Sequence, residues 1–209
     1  MSATVQATKK SITLKGSATT VAQFFQYGII NILYQRGVFP QEDFSLVKKY
    51  GINLMSTSNP SLAKYLKHYL QQLTIWIGAG KAKSVVLAIK DRETHEVSER
   101  WHFNIQVLSE NMDDSGNLIK PVREEKLITA EIASIIRQIT ATVSFLPELN
   151  EDSIFTILTY TAGDVEVPND WVDADPHAIN SQTEQVRLRS FSTNFHKVDS
   201  LVQYKVMED

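Results

Sequence analysis

No cysteine occurs anywhere in the chain. Disulfide staples, thiolate nucleophiles and cysteine-ligated zinc are therefore excluded. A surplus of one charge is missing too: 21 basic residues against 24 acidic ones leave a formal charge of −3. Affinity built on phosphate neutralisation is disfavoured, and no nucleic-acid partner is expected. No apolar run approaches the roughly 20 residues of a membrane span. The opening MSATVQATKKS has no apolar signal core. These absences predict an intracellular soluble protein with no membrane partner. There is no internal repeat and no low-complexity tract. With 209 residues, 43% of them hydrophobic, the chain can bury a core without staples.

Catalytic and metal signatures are equally sparse. His68, His95, His102, His177 and His196 form no HxxxH or HExxH pair, so they read as solvated or turn residues. Asp113-Asp114 lacks the bidentate glutamate of a calcium loop, and there is no Gly-x-Ser-x-Gly elbow. Gly78-Ala79-Gly80-Lys81 follows a helical pattern instead of a strand. No helix N-terminus would face a phosphate there, so a helix C-cap is predicted. Neither metal nor cofactor is expected, and no catalytic residue is assigned. The rival is an enzyme using the 91–100 region with His95 or His102.

What is present is periodicity. Residues 127–147, LITAEIASIIRQITATVSFLP, place Ile128, Ile132, Ile135, Ile136, Ile139 and Val143 at spacings of three and four. That is one apolar helical stripe, with Thr129 as candidate N-cap and Pro147 as stop. On the opposite side Arg137 stands among Ala130, Ala133, Thr140 and Ala141. A lone guanidinium on small residues suits a close-approaching partner; a plain solvated arginine is the alternative.

A helix opening at Gly16-Ser17, with Ser17 as N-cap, carries Val21, Phe24, Phe25, Gly28, Ile29, Ile32 and Leu33 on one face. Gly28 predicts close helix approach. A third helix follows Asn59-Pro60, a cap and first-position pair. Strands are predicted at 12–14, 52–56, 85–89, 97–107 and 152–160, with a short helix or turn at 42–50 and a mobile loop at 108–123. In 97–107 the core face is Val97, Trp101, Phe103, Ile105 and Val107. The strand at 152–160 leaves a possible open edge, which invites an added strand. Two period-two runs at 184–191 and 198–206 either complete the sheet or move. The order of elements favours α+β, three helices on a mostly antiparallel sheet.

Five collinear segments carry a family resemblance: ITLKGSATTVAQFF from Ile12, ILYQRGVFP from Ile32, SERWHFNI from Ser98, IIRQITATVSFLP from Ile135 and VRLRSFSTNFHKVDSLVQYK from Val186. Together they make the chain similar to the mitotic-arrest-deficient, spindle-checkpoint branch of the HORMA-domain family. The resemblance implies a flexible 1–11 segment and one HORMA domain over 12–209, with core 12–160 and a mobile C-terminal safety belt 161–209. It implies an adaptor that switches between open and closed folds and captures a partner peptide under the belt. Sequestering the activator of the anaphase-promoting complex would then delay anaphase.

The peptide would add near Phe155, Ile157, Leu158 and Tyr160. Trp171, Val186, Leu188 and Tyr204 would belong to the belt, with Trp76 beside it. Arg137, Gln138, Phe145 and Arg189 would form the surface of a homodimer between open and closed conformers. Ser200 matches a regulatory phosphorylation site; Ala174 departs from another. Implied partners are a coiled-coil kinetochore receptor, the propeller co-activator of the anaphase-promoting complex, and a HORMA-like adaptor with a remodelling ATPase. Implied locations are nucleus, kinetochore and cytoplasm. The runner-up is a HORMA subunit of a translesion polymerase or meiotic chromosome axis.

Overall fold

The computed structural model describes residues 13–163 and 165–206. The 1–11 segment expected to be flexible lies outside these described residues. Helix α1 runs Leu14–Gln35. Its cap is Thr13, whose Oγ1 accepts from the Gly16 amide at 3.1 Å. Ser17, expected as the cap, sits a turn inside the helix and is fully buried. The short strand expected at 12–14 gives way to this helix start, with Ile12 outside the described residues. The predicted stripe is correct: Val21, Phe24, Phe25, Ile29, Ile32 and Leu33 are all buried. A Cβ at Gly28 would meet only the Phe24 ring at 3.8 Å, ordinary contact, so no close helix approach requires that glycine.

Helix α2 spans Pro60–Gly78, capped by Asn59 Oδ1, which accepts from the Ser61 and Leu62 amides. Its end explains the glycine pair. The Lys81 amide returns to the Trp76 carbonyl and the Gly80 amide to Ile77, with Gly80 at φ 68°. This two-bond stop needs a left-handed residue, so GAGK closes a helix, as the C-cap reading expects.

Helix α3 is Glu125–Thr142, followed by a 3-10 turn at Val143–Phe145. It starts earlier than predicted: Glu124 takes the cap position without a side-chain bond, and Thr129 lies inside. The five stripe isoleucines are at most 2% exposed. Burying each contributes about 1.5–3 kcal/mol by transfer, which offsets the poor helix propensity of β-branched residues.

Residues 42–50, expected as helix or turn, instead form a 3-10 turn at Gln41–Asp43 and strand β1, Phe44–Lys49. β1 pairs with β2, Ile52–Thr57, through Tyr50 and Gly51 at φ 53° and 72°. Two positive φ values are what a tight hairpin of right-twisted strands demands. The main sheet contains β3, Ala82–Asp91; β4, Val97–Val107; β5, Ser153–Thr161; β6, Thr183–Arg187; and β8, His196–Lys205. The two-residue β7, Phe191–Ser192, pairs with β8. Sheet order is β5-β3-β4-β8-β6, every pair antiparallel.

Trp101, Phe103 and Ile105 of β4, Val85, Leu87 and Ile89 of β3, and Val198 and Val202 of β8 share the helix-side core. Glu99 shares the core face of β4 with the predicted apolar residues. It is 1% exposed, accepts from the Trp101 indole N–H, and pairs with Arg36 Nε at 2.8 Å. Burial pushes its carboxyl above the usual range, against the pull of Arg36. The 108–123 loop, expected to be mobile, is organised by a Met112–Leu118 bridge and by Asp113 accepting from the Ser115 and Asn117 amides.

Candidate functional site

Among the described residues, nothing after β5 folds back to pair with it. Residues 162–182 leave the Thr161 end and deliver β6 and β8 to the far margin of the sheet, beside β4. Among the described residues β5 therefore has one neighbour, β3, and a bare outer edge. Unpaired main-chain groups in that arrangement are a template for an added strand.

The crossing segment is fastened to α2 by aromatic packing. Trp171 stacks on Tyr69, with centroids 5.5 Å apart and planes 23° apart, and meets Trp76 edge-on at 4.8 Å. The Trp76 indole N–H donates to the Glu166 carbonyl at 3.3 Å. His68 and Asp170 approach to 2.6 Å on the outside. Between this strap and the β5 edge lies a cavity of about 580 Å³. Tyr65, Tyr69, Ile157, Thr159, Trp171 and Val172 are among its walls. Tyr69 shares a 2.8 Å hydrogen bond with Thr159. Burial pushes the Tyr65 phenol up, opposed by a hydrogen bond with the Ile157 main chain. Further along, Arg100 donates to the Pro176 carbonyl at 3.2 Å, so the strap also touches β4.

Of the residues assigned to the edge, Ile157 and Leu158 are buried and Phe155 is half-buried against Phe39 and Tyr65. Only Tyr160 is exposed, at 39%. The edge thus offers mainly backbone. Val186, Leu188 and Tyr204 are half-buried against the core at the β4 margin, and the Tyr204 hydroxyl donates to Glu184.

The structure brings α3 and the terminal segment together. The Arg189 amide donates to Gln138 Oε1 at 2.7 Å, and the Ser192 amide to Glu131 Oε2 at 3.1 Å. Arg137, Thr140 and Ala141 are exposed, and Phe145 is 52% exposed in the 3-10 turn. Ala133, expected on this small-residue face, is buried at 3%.

Ser200 is 5% exposed, and its hydroxyl has no hydrogen-bond partner. His196, read from sequence as a solvated or turn residue, is fully buried. Burial pushes its imidazole below the ordinary range, against the Ile77 carbonyl, which favours the neutral form. The signal was available: counting back by twos from Val202 through Val198 reaches both Ser200 and His196.

The 91–100 region is the end of β3, the turn at 92–96 and the start of β4. Asp91 accepts from the Glu93 and Thr94 amides. These bonds, Thr94 foremost, with Asn150, hold its carboxyl down to about 2. His95 adopts φ 59° in that turn and is exposed. Among the described residues no three His, Asp or Glu side chains converge to hold a metal, and no helix is long and apolar enough to cross a membrane.

A HORMA-domain family model matches residues 17–196. The human mitotic spindle assembly checkpoint protein MAD2A is 46% identical over 198 residues, covering 95% of both chains. A chain in the crystal structure of the mitotic checkpoint complex superposes with a TM-score of 0.82 at 40% identity, covering 91% of this chain and 99% of that one. HTP-1 of C. elegans, solved with a HIM-3 closure motif, has a TM-score of 0.78 at 12% identity, covering 96% and 95%; that likeness shows shared fold alone.

Proposed function

The chain belongs to the HORMA-domain family, and from that premise we propose that it is a spindle-checkpoint adaptor that holds a partner peptide between its β5 edge and the 162–182 strap. The observation that carries this reading is the placement of β8 on β4, which leaves β5 bare beside a strapped cavity. An extended peptide at that edge gains main-chain pairing, and the strap restrains it from outside. The full-length likeness to MAD2A at 46% identity supports the checkpoint role over a translesion or meiotic one.

The partners this reading assigns are the propeller co-activator of the anaphase-promoting complex and a coiled-coil kinetochore receptor. A HORMA-like adaptor with a remodelling ATPase would reopen the strap. The protein would act in the nucleus, at kinetochores and in cytoplasm. Self-association between conformers would use Arg137, Gln138, Phe145 and Arg189, with Arg137 as the anchor because its exposed guanidinium stands on the outer face of α3 beside the small residues Thr140 and Ala141. Phosphorylation at Ser200 requires release of β8, since the hydroxyl is closed to solvent.

The test titrates peptides tiled across the co-activator and the receptor, read by Trp171 fluorescence and by amide exchange in β5. The expected result is one bound segment that newly protects β5 amides. A segment that binds tightly yet leaves β5 exchange unchanged refutes the edge-addition reading.

A further inference from the structure

One buried polar cluster plays no part in the cavity. His196 Nδ1 lies 2.7 Å from Ser17 Oγ, and His196 Nε2 lies 3.1 Å from the Ile77 carbonyl oxygen. The carbonyl can only accept, so Nε2 carries the hydrogen and Nδ1 accepts from the Ser17 hydroxyl. Ser17 Oγ is also 2.6 Å from Thr193 Oγ1, which accepts from the His196 amide at 2.9 Å. Ser17, Thr193 and His196 are at most 2% exposed. The serine–histidine pair resembles a nucleophile and its base, but it is sealed from solvent, so no substrate reaches it.

The cluster joins α1, the end of α2 and the terminal segment, which lie far apart in sequence. We propose that Ser17, Thr193 and His196 form a latch that sets where the terminal segment docks on β4, making Ser17 and His196 positioning residues for peptide capture. The proposal rests on the capture reading. Its physical basis is register. A one-residue slip of β8 turns every inward side chain outward and is excluded by burial alone. A two-residue slip keeps the inward phase, so the apolar pattern resists it less. The latch does resist it, because the slip carries His196 away from Ser17 and Ile77 and leaves buried polar groups unpaired. Tail departure strands Ser17 in the same way.

The experiment uses the full chain, with Ser17→Ala, His196→Leu and His196→Gln. β4 bonds β3 on one side and β8 on the other, so its own amides provide an internal control. The expected result is that β4 amides facing β8 exchange about tenfold faster in Ser17→Ala and His196→Leu. Those facing β3 hold their wild-type rates, and His196→Gln, which keeps a donor and an acceptor, recovers part of the protection. Equal acceleration of both sets overturns the proposal by reducing the cluster to general core support. No change in either set overturns it as well. Failure of the capture reading is distinguishable: it shows as wild-type protein with normal β4 protection that retains no peptide.

Discussion

Trp171→Ala tests whether the strap, and not the edge alone, retains the ligand. The indole makes two ring contacts, with Tyr69 and Trp76, worth about 1 kcal/mol each beyond area burial. Trp171 is half-buried, so losing its apolar area adds about 1 kcal/mol more. The sum, about 3 kcal/mol, is on the order of a hundredfold at 1.4 kcal/mol per factor of ten. It should fall on dissociation, because affinity changes within one interface are expressed mostly in the off-rate. The assay is stopped-flow chase of a dye-labelled peptide by unlabelled peptide, with Trp171→Phe as control. Phenylalanine keeps aromatic contact and should lose less than tenfold. Trp171 meets the core at its margin, through Tyr69 and Trp76, so amides of α1 and α3 should keep their protection. A dissociation rate within threefold of wild type would refute the reasoning, since the strap would then contribute nothing to retention.

Three further outcomes are expected. Arg137→Ala should abolish self-association in sedimentation velocity while peptide affinity stays within a factor of three; an intact dimer removes Arg137 as its anchor. Ser200→Asp should cost several kcal/mol of tail docking by burying an unpaired carboxylate, whereas Ser200→Ala should be near neutral because the hydroxyl has no partner; equal peptide retention in both variants contradicts the burial argument. His196 has a lowered folded pKa, so the docked state binds fewer protons than the released one. Docking is then strongest above the ordinary imidazole value of about 6.5 and weakens as pH falls through it toward the lowered value. His196→Gln should flatten the part of that slope due to residue 196, His102 and His177 supplying what remains. Asp91, held at about 2, contributes no loss until pH nears the ordinary carboxyl range. A slope unchanged by His196→Gln counts against a neutral, docked imidazole.

Much of the fold was legible where a local signal coincided with the tertiary outcome. The β4 alternation gave its ends, and Asn59-Pro60 gave the start of α2. The α3 stripe was correct, although its first turn carries no capping side chain and so began unmarked. Ser17 misled because a serine after glycine looks like a cap. Its hydroxyl is claimed by His196, 179 residues away, and no window sees that. β1 was missed because its burial does not alternate cleanly; the Tyr50-Gly51 turn was the only clue. An open edge at the 152–160 strand was one of two readings, the other being that the terminal strands complete the sheet there. Which margin the terminal strands would take was not legible, since both margins of a sheet present the same backbone groups and the strand pattern fits either.

The strap's route has a mechanical consequence. It leaves the sheet at the end of β5 and is tied down again at β6, on the opposite margin. A chain lying on β5 is therefore threaded, like a cord through a buckle. If folded domains stand on both sides of the threaded stretch, it cannot slide out lengthwise at any affinity. Its lifetime is then set by how often the buckle opens, and it is the same for strong and weak ligands of that kind.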